Sequence, residues 1–154
     1  MYNHGTKEDC FICPALAGDF GDQTWIREND IFYRDDLVMG YVSSKFAKGN
    51  EGHAIIVPVE HIENLYDVSQ EVGAALMKLS SRVAQALKVV RNCDGVTVVQ
   101  NNEPAGDQHA FHYHMHIVPR FEGDNFQTEF FRAERSADEL RPPYAEALRK
   151  ELVK

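Results

Sequence analysis

His112-Tyr113-His114-Met115-His116-Ile117-Val118 alternates imidazoles with large apolar side chains. Side chains of a β-strand point to opposite faces in turn, so the stretch predicts a strand from Ala110 to Pro119. His112, His114 and His116 share its polar face, while Tyr113, Met115 and Ile117 share a face fit for a core. At a rise of about 3.3 Å per residue the outer two histidines stand roughly 13 Å apart at the backbone. That distance is long for one metal ion, although a His-x-His pair can serve one. It suits divided labour along an extended site, with a central imidazole that attacks and neighbours that position or donate. A merely solvated face is the bland alternative, for which Lys, Glu or Thr would serve as well.

The residues around this stretch are hydrogen-bond donors. Gln108 and the Gly106 loop lie just upstream, Asn101 ends the preceding apolar segment, and His53 opens another after Gly52. Neutral or cationic donors of this kind suit a phosphate. Further out, Trp25-Ile26, Ile31 to Tyr33, Leu37 to Val42, His53 to Pro58 and Val96 to Gln100 read as strands separated by turn residues. Ser43 to Gly52 reads as a loop. Val72, Leu76, Leu79, Val83, Leu87 and Val90 recur at spacings of three and four, predicting one amphipathic helix from Ser69 to Asn92 with Ser69 as N-cap. Pro14 to Phe20 is a candidate short helix, and the C-terminal part holds a helix interrupted or restarted at Pro142-Pro143. The fold class expected is α+β: a mostly antiparallel sheet with one long central helix and a C-terminal helix, in a single domain spanning 1–154.

Net charge is −8 over 154 residues, with 44% hydrophobic and 26% charged residues. A globular chain of that charge has no overall basic field, which argues against broad nucleic-acid or anionic-membrane binding. No apolar run approaches the ~20 residues of a membrane span, and the first residues lack a signal-peptide pattern, so a cytoplasmic protein is expected. The three cysteines, Cys10, Cys13 and Cys93, do not form a secreted disulfide framework. Cys10-Phe11-Ile12-Cys13 alone is compatible with redox chemistry, half of a zinc site, or chance. Cys93 reads as a helix-end residue, His4 as part of a disordered N-terminus, and His109 as a solvent-facing loop residue.

Taken together, His112 to Arg120, the preceding Gln108 and Asn101, Gly52 to Pro58, His61-Ile62-Glu63-Asn64-Leu65 and Cys10 to Cys13 resemble the histidine triad family, in its order and spacing. The resemblance covers about 10–120 and leaves 121–154 as a C-terminal extension. It implies an α+β sheet domain that pairs into a homodimer, and a nucleotide hydrolase or transferase acting at the α-phosphate of nucleoside phosphoramidates or dinucleoside polyphosphates. It further implies His114 as nucleophile, His116 and His53 as phosphate and leaving-group contacts, Asn101 and Gln108 as phosphate binders, and His112 as the group orienting the nucleophile. In some bacterial-type members the matching cysteines join two histidines on a structural zinc, which implies Cys10, Cys13, His61 and His112 here. Three departures bear on substrate preference. Asp107 precedes Gln108 where Gly is usual, His109 replaces a small hydroxyl residue, and Ser43 stands at the usual ribose-binding Asp, followed by a loop about two residues longer. Two other functions remain open: a nucleotide-binding or sensing protein with little turnover, and a metalloprotein using the histidines only as ligands.

Overall fold

The computed structural model describes residues 3–154. Its centre is a five-stranded antiparallel sheet of β1 (Ile31–Arg34), β2 (Val38–Val42), β4 (Ala54–Pro58), β5 (Gly95–Gln100) and β6 (Met115–Arg120), in the order β1-β2-β4-β6-β5. Every residue of β2 and β4 is buried, because both faces of the sheet centre are covered. On one face Val38, Val42, Ala54, Ile56, Met115 and Ile117 pack against α2 (Gln70–Val90) and α4 (Pro142–Leu152). On the other, Met39, Tyr41, Ile55 and Val57 pack against α1 (Ile12–Leu16).

The helix α2 forms where the spacing predicts. Ser69 accepts a hydrogen bond from the Val72 N–H at 3.2 Å, satisfying one of the free donors of the first turn. Leu76, Leu79, Val83 and Leu87 are buried, each worth about 1.5–3 kcal/mol relative to exposure. Pro142 starts α4, a position where its missing N–H costs nothing. Between β6 and α4 the chain makes a short helix α3 (Phe126–Glu129) and a two-residue strand β7 (Glu134–Arg135). β7 pairs with β3 (Lys45–Phe46), which forms inside the segment expected to be a loop. No helix among the described residues is long and apolar enough to cross a membrane.

Three further local expectations are corrected. Trp25-Ile26 is not a strand: the Thr24 hydroxyl takes the Ile26 N–H at 3.2 Å and the Arg27 guanidinium takes the Thr24 carbonyl at 2.8 Å, replacing ladder partners with local ones. The histidine strand begins at Met115, not Ala110, because pairing with both neighbours ends there, at Ile56 and Gln100. His4 is ordered: its backbone N–H and ring Nδ1 meet the Glu63 carboxylate at 2.7 and 2.8 Å, and its ring stacks on Phe111.

Candidate functional site

Pairing of β4 with β6 sets His116 opposite Ile55, on the sheet face away from α2, in a row with Tyr41 and Val99. His114 lies just before β6, where the backbone is free of the ladder. Its ring therefore turns back, and Nδ1 sits 2.8 Å from the carbonyl oxygen of His112. A carbonyl only accepts, so Nδ1 carries the proton and Nε2 keeps the lone pair. Burial pushes the His114 pKa below its ordinary value, opposed by the His112 carbonyl, so the ring is neutral at pH 7. An exposed-lone-pair imidazole with a fixed tautomer is a nucleophile.

Beside it, His116 Nδ1 and His53 Nε2 are 3.2 Å apart. Burial holds His53 down to about 4 and His116 well below the usual imidazole range, so both rings are neutral and one proton is shared between them. His53 Nδ1 is buried without a partner. A bare lone pair there costs less than a stranded N–H, which places the shared proton on His53 Nε2. His116 then accepts at Nδ1 and presents Nε2–H as a donor. The rings of His114 and His116 are 5.1 Å apart and those of His116 and His53 are 5.3 Å apart.

These three histidines, with Ser43, Asn101 and His109, line one cavity of about 420 Å³. Asn101 enters from the end of β5 and donates its amide to the Asp107 carbonyl at 3.2 Å. His109 is solvent-exposed, as expected, and also faces the cavity. Gln108 is not among the lining residues. It is buried, its amide nitrogen donating to the carbonyls of Glu63 at 2.6 Å and Ala110 at 3.1 Å, and its oxygen accepting from the Glu103 N–H at 2.7 Å. Here it braces the loop that carries His109. The His112 ring also lies outside the cavity and reaches it only through its carbonyl.

That ring belongs to a second cluster. Cys10 Sγ is 3.4 Å from His112 Nδ1, Cys13 Sγ is 3.6 Å from the same atom, and Cys13 Sγ is 3.3 Å from His61 Nδ1. All four donor atoms lie within 4.8 Å of one another. A tetrahedral zinc bonded at about 2.3 Å to sulfur and about 2.0 Å to nitrogen holds its donors roughly 3.3–3.8 Å apart. The donor set fits. His112 Nε2 is 3.0 Å from the Pro58 carbonyl, which puts its proton there and frees Nδ1 as a lone pair. Burial holds His112 down to about 4 and pushes the Cys13 thiol up to about 12, so binding a metal here releases a thiol proton.

Sequence reading missed the aromatic and cationic wall of the cavity: Phe11, Trp25, Lys45, Phe130 and Phe131. The Phe130 ring stands 5.1 Å from that of His116 and 5.7 Å from that of His53. One signal was available, since Phe126, Phe130 and Phe131 cluster within a polar stretch. Cys93, as expected, is a buried residue at the end of α2, its thiol on the Leu87 carbonyl.

Sequence and fold comparisons relate the chain to known proteins. The chain is 29% identical to the Protein hit of Bacillus subtilis over 136 residues, covering 88% of this chain and 86% of that one. Over 70 residues, 46% of this chain and 42% of the other, it is 36% identical to the adenosine 5′-monophosphoramidase of Saccharomyces cerevisiae. A Zn-bound histidine triad family protein from Mycobacterium smegmatis superposes with a TM-score of 0.75 at 26% identity, covering 96% of both chains. The family described as HIT domain matches residues 27–123, well over half of the sequence. The chain belongs to the HIT domain family.

Proposed function

We propose that the protein is a nucleotide hydrolase or transferase that attacks the α-phosphate of nucleoside phosphoramidates or dinucleoside polyphosphates. The observation that carries this reading is the 2.8 Å contact of His114 Nδ1 with the His112 carbonyl, which leaves Nε2 as a lone pair in a cavity. The likeness to the yeast adenosine 5′-monophosphoramidase supports it. In the first step Nε2 bonds to phosphorus and the P–N or P–O bond to the leaving group breaks. The developing positive charge on the ring is stabilised by the carbonyl at Nδ1. His116 Nε2–H and the Asn101 amide supply donors for the phosphoryl oxygens. An amine leaves with a proton taken from solvent water beside the exposed His109. In the second step water, or another acceptor, bonds to phosphorus, loses its proton to solvent beside His109, and the P–Nε2 bond breaks.

Zinc is the structural metal proposed for Cys10, Cys13, His61 and His112. When bound it would supply a cross-link between the N-terminal segment and the chain just after β4 and just before β6. His112 thereby fixes the carbonyl that holds His114, and the ion itself takes no part in the reaction. The reading also includes a homodimer paired along β5, a sheet edge with Val98 half exposed.

Steady-state turnover of adenosine 5′-phosphoramidate and diadenosine polyphosphates tests the proposal. The expected result is hydrolysis by the wild type and a loss of at least about a thousandfold in kcat/KM in His114→Ala. Tight nucleotide binding without turnover would instead favour a sensing role. Catalysis that survives zinc removal would exclude histidines acting only as ligands.

A further inference from the structure

The cavity has an end that the chemistry at His114 does not use. Contacts lead away from the nucleophile through His116 and His53 along one wall. The Ser43 N–H donates to the His53 carbonyl at 3.0 Å, and the Lys45 N–H donates to Ser43 Oγ at 3.2 Å. The Lys45 ammonium lies 5.7 Å from the centre of the Trp25 ring, which is 40% exposed. The Arg135 guanidinium reaches the same ring at 5.6 Å.

Lys45 and Arg135 are direct register partners in the β3–β7 ribbon, so their side chains share a face. Like charges set directly opposite destabilise a strand pair, and this ribbon has only two residues a side. Nearby carboxylates neutralise them only in part. Asp138 is 3.6 Å from Arg135 but already takes Arg27 at 2.8 Å and Arg141 at 2.6 Å. Among the described residues Lys45 makes no ion pair within 4.0 Å. Glu134 is paired with Phe46 and, by alternation, faces away from Arg135. Of the cavity residues only Asp107 carries a carboxylate, and it lies at the other end beside Asn101. Lys45 without a carboxylate partner, and Arg135 sharing Asp138 with two other arginines, thus set an incompletely neutralised pair of cations around an exposed indole in a chain of net charge −8.

We infer that Lys45 and Arg135 bind a second phosphate group of the nucleotide whose first phosphate His114 attacks, an inference that rests on the reading of the site as a nucleotide site. The indole offers a face for a base, and the Ser43 hydroxyl remains free to donate. In nucleotide sites carboxylates hold free sugar hydroxyls and cations accommodate sugar phosphates. A phosphate on the sugar and a distal phosphate of a polyphosphate chain bring the same chemistry.

The test measures binding and turnover on the same set of proteins. Calorimetry compares adenosine 5′-monophosphate with adenosine 3′,5′-bisphosphate and with adenosine 5′-diphosphate, on wild type, Lys45→Gln, Arg135→Gln and the double variant. Kinetics compare adenosine 5′-phosphoramidate with its 3′-phosphorylated counterpart and with diadenosine tetraphosphate. The wild type is expected to favour a doubly phosphorylated ligand by about tenfold or more, with the ratio falling towards one in the double variant. Preference for the 3′-phosphate assigns the sugar, and preference for the diphosphate and tetraphosphate assigns the chain. Equal affinities in wild type, or a ratio unchanged in the double variant, would overturn the inference. Absence of turnover alone would count against the enzymatic reading and leave the binding ratio decisive.

Discussion

At the residue scale, one hydrogen bond decides what His114 can do. The same imidazole with Nδ1 bare and Nε2 protonated would be a donor rather than a nucleophile. Buried neutral rings also set the response of the fold to acid. The folded-state pKa of His53 is lowered from 6.5 to about 4 by burial, so below 6.5 the unfolded chain takes up a proton that the folded chain refuses. Stability conferred by His53 is therefore complete above 6.5 and is lost as pH falls towards 4, by up to about 3 kcal/mol. Urea titrations of wild type and His53→Gln at pH 7 and pH 4.5 check this: the wild type should lose more between the two. His114, His116 and His53 stood out in the sequence, the first two by alternation and His53 by opening a strand after Gly52, but the same alternation set His112 beside them, whereas its ring joins the cysteine cluster. Gln108 was not. Whether its amide faces a cavity or the backbone of Glu63, Glu103 and Ala110 depends on loops brought together from distant parts of the chain.

At the scale of elements, the C-terminal segment completes a site whose reactive groups come from β6 and from the residues just before β4 and β6. α4 starts beside Arg141, a fully buried arginine whose guanidinium bonds the Trp25 carbonyl at 2.8 Å, Asp138 at 2.6 Å and the buried Asp30 at 3.3 Å. This links the extension to the strap that carries Trp25 into the cavity. Arg141→Ala strands the Asp30 carboxylate and is expected to cost about 3–5 kcal/mol in thermal or chemical unfolding. The cysteine pair ties α1 to the segment before β6 in the same way. Purified protein is expected to carry about one zinc per chain, and Cys10→Ser to lose both the metal and several degrees of thermal stability. Metal-free wild type with the same melting temperature as the variant would rule the zinc out. The periodic elements, α2 and the central strands, follow from sequence because their patterns are local. Trp25-Ile26 and the short β3–β7 ribbon do not, since side-chain competition and a partner some ninety residues away decide them.

At the scale of the molecule, the sheet ends in an open antiparallel edge at β5, with Val98 51% exposed. An edge of this kind is a template for a second copy. Sedimentation is expected to give a dimer for wild type and a monomer for Val98→Asp; a monomeric wild type would remove this part of the proposal. The α+β class was legible from the several strand runs and the helical spacing of Val72 to Val90, while the cavity's far wall was not, because it is assembled from segments before β1, between β2 and β4, and after β6. The central claim remains chemical, that His114 Nε2 bonds to phosphorus. Rapid quench of wild type mixed with adenosine 5′-phosphoramidate labelled in the nucleotide, followed by peptide mapping, addresses it directly. An acid-labile nucleotidyl adduct on His114, formed and consumed at rates compatible with turnover, is the expected result. Turnover with no labelled protein at any time point, or a label on another residue with His114→Ala still active, would contradict it.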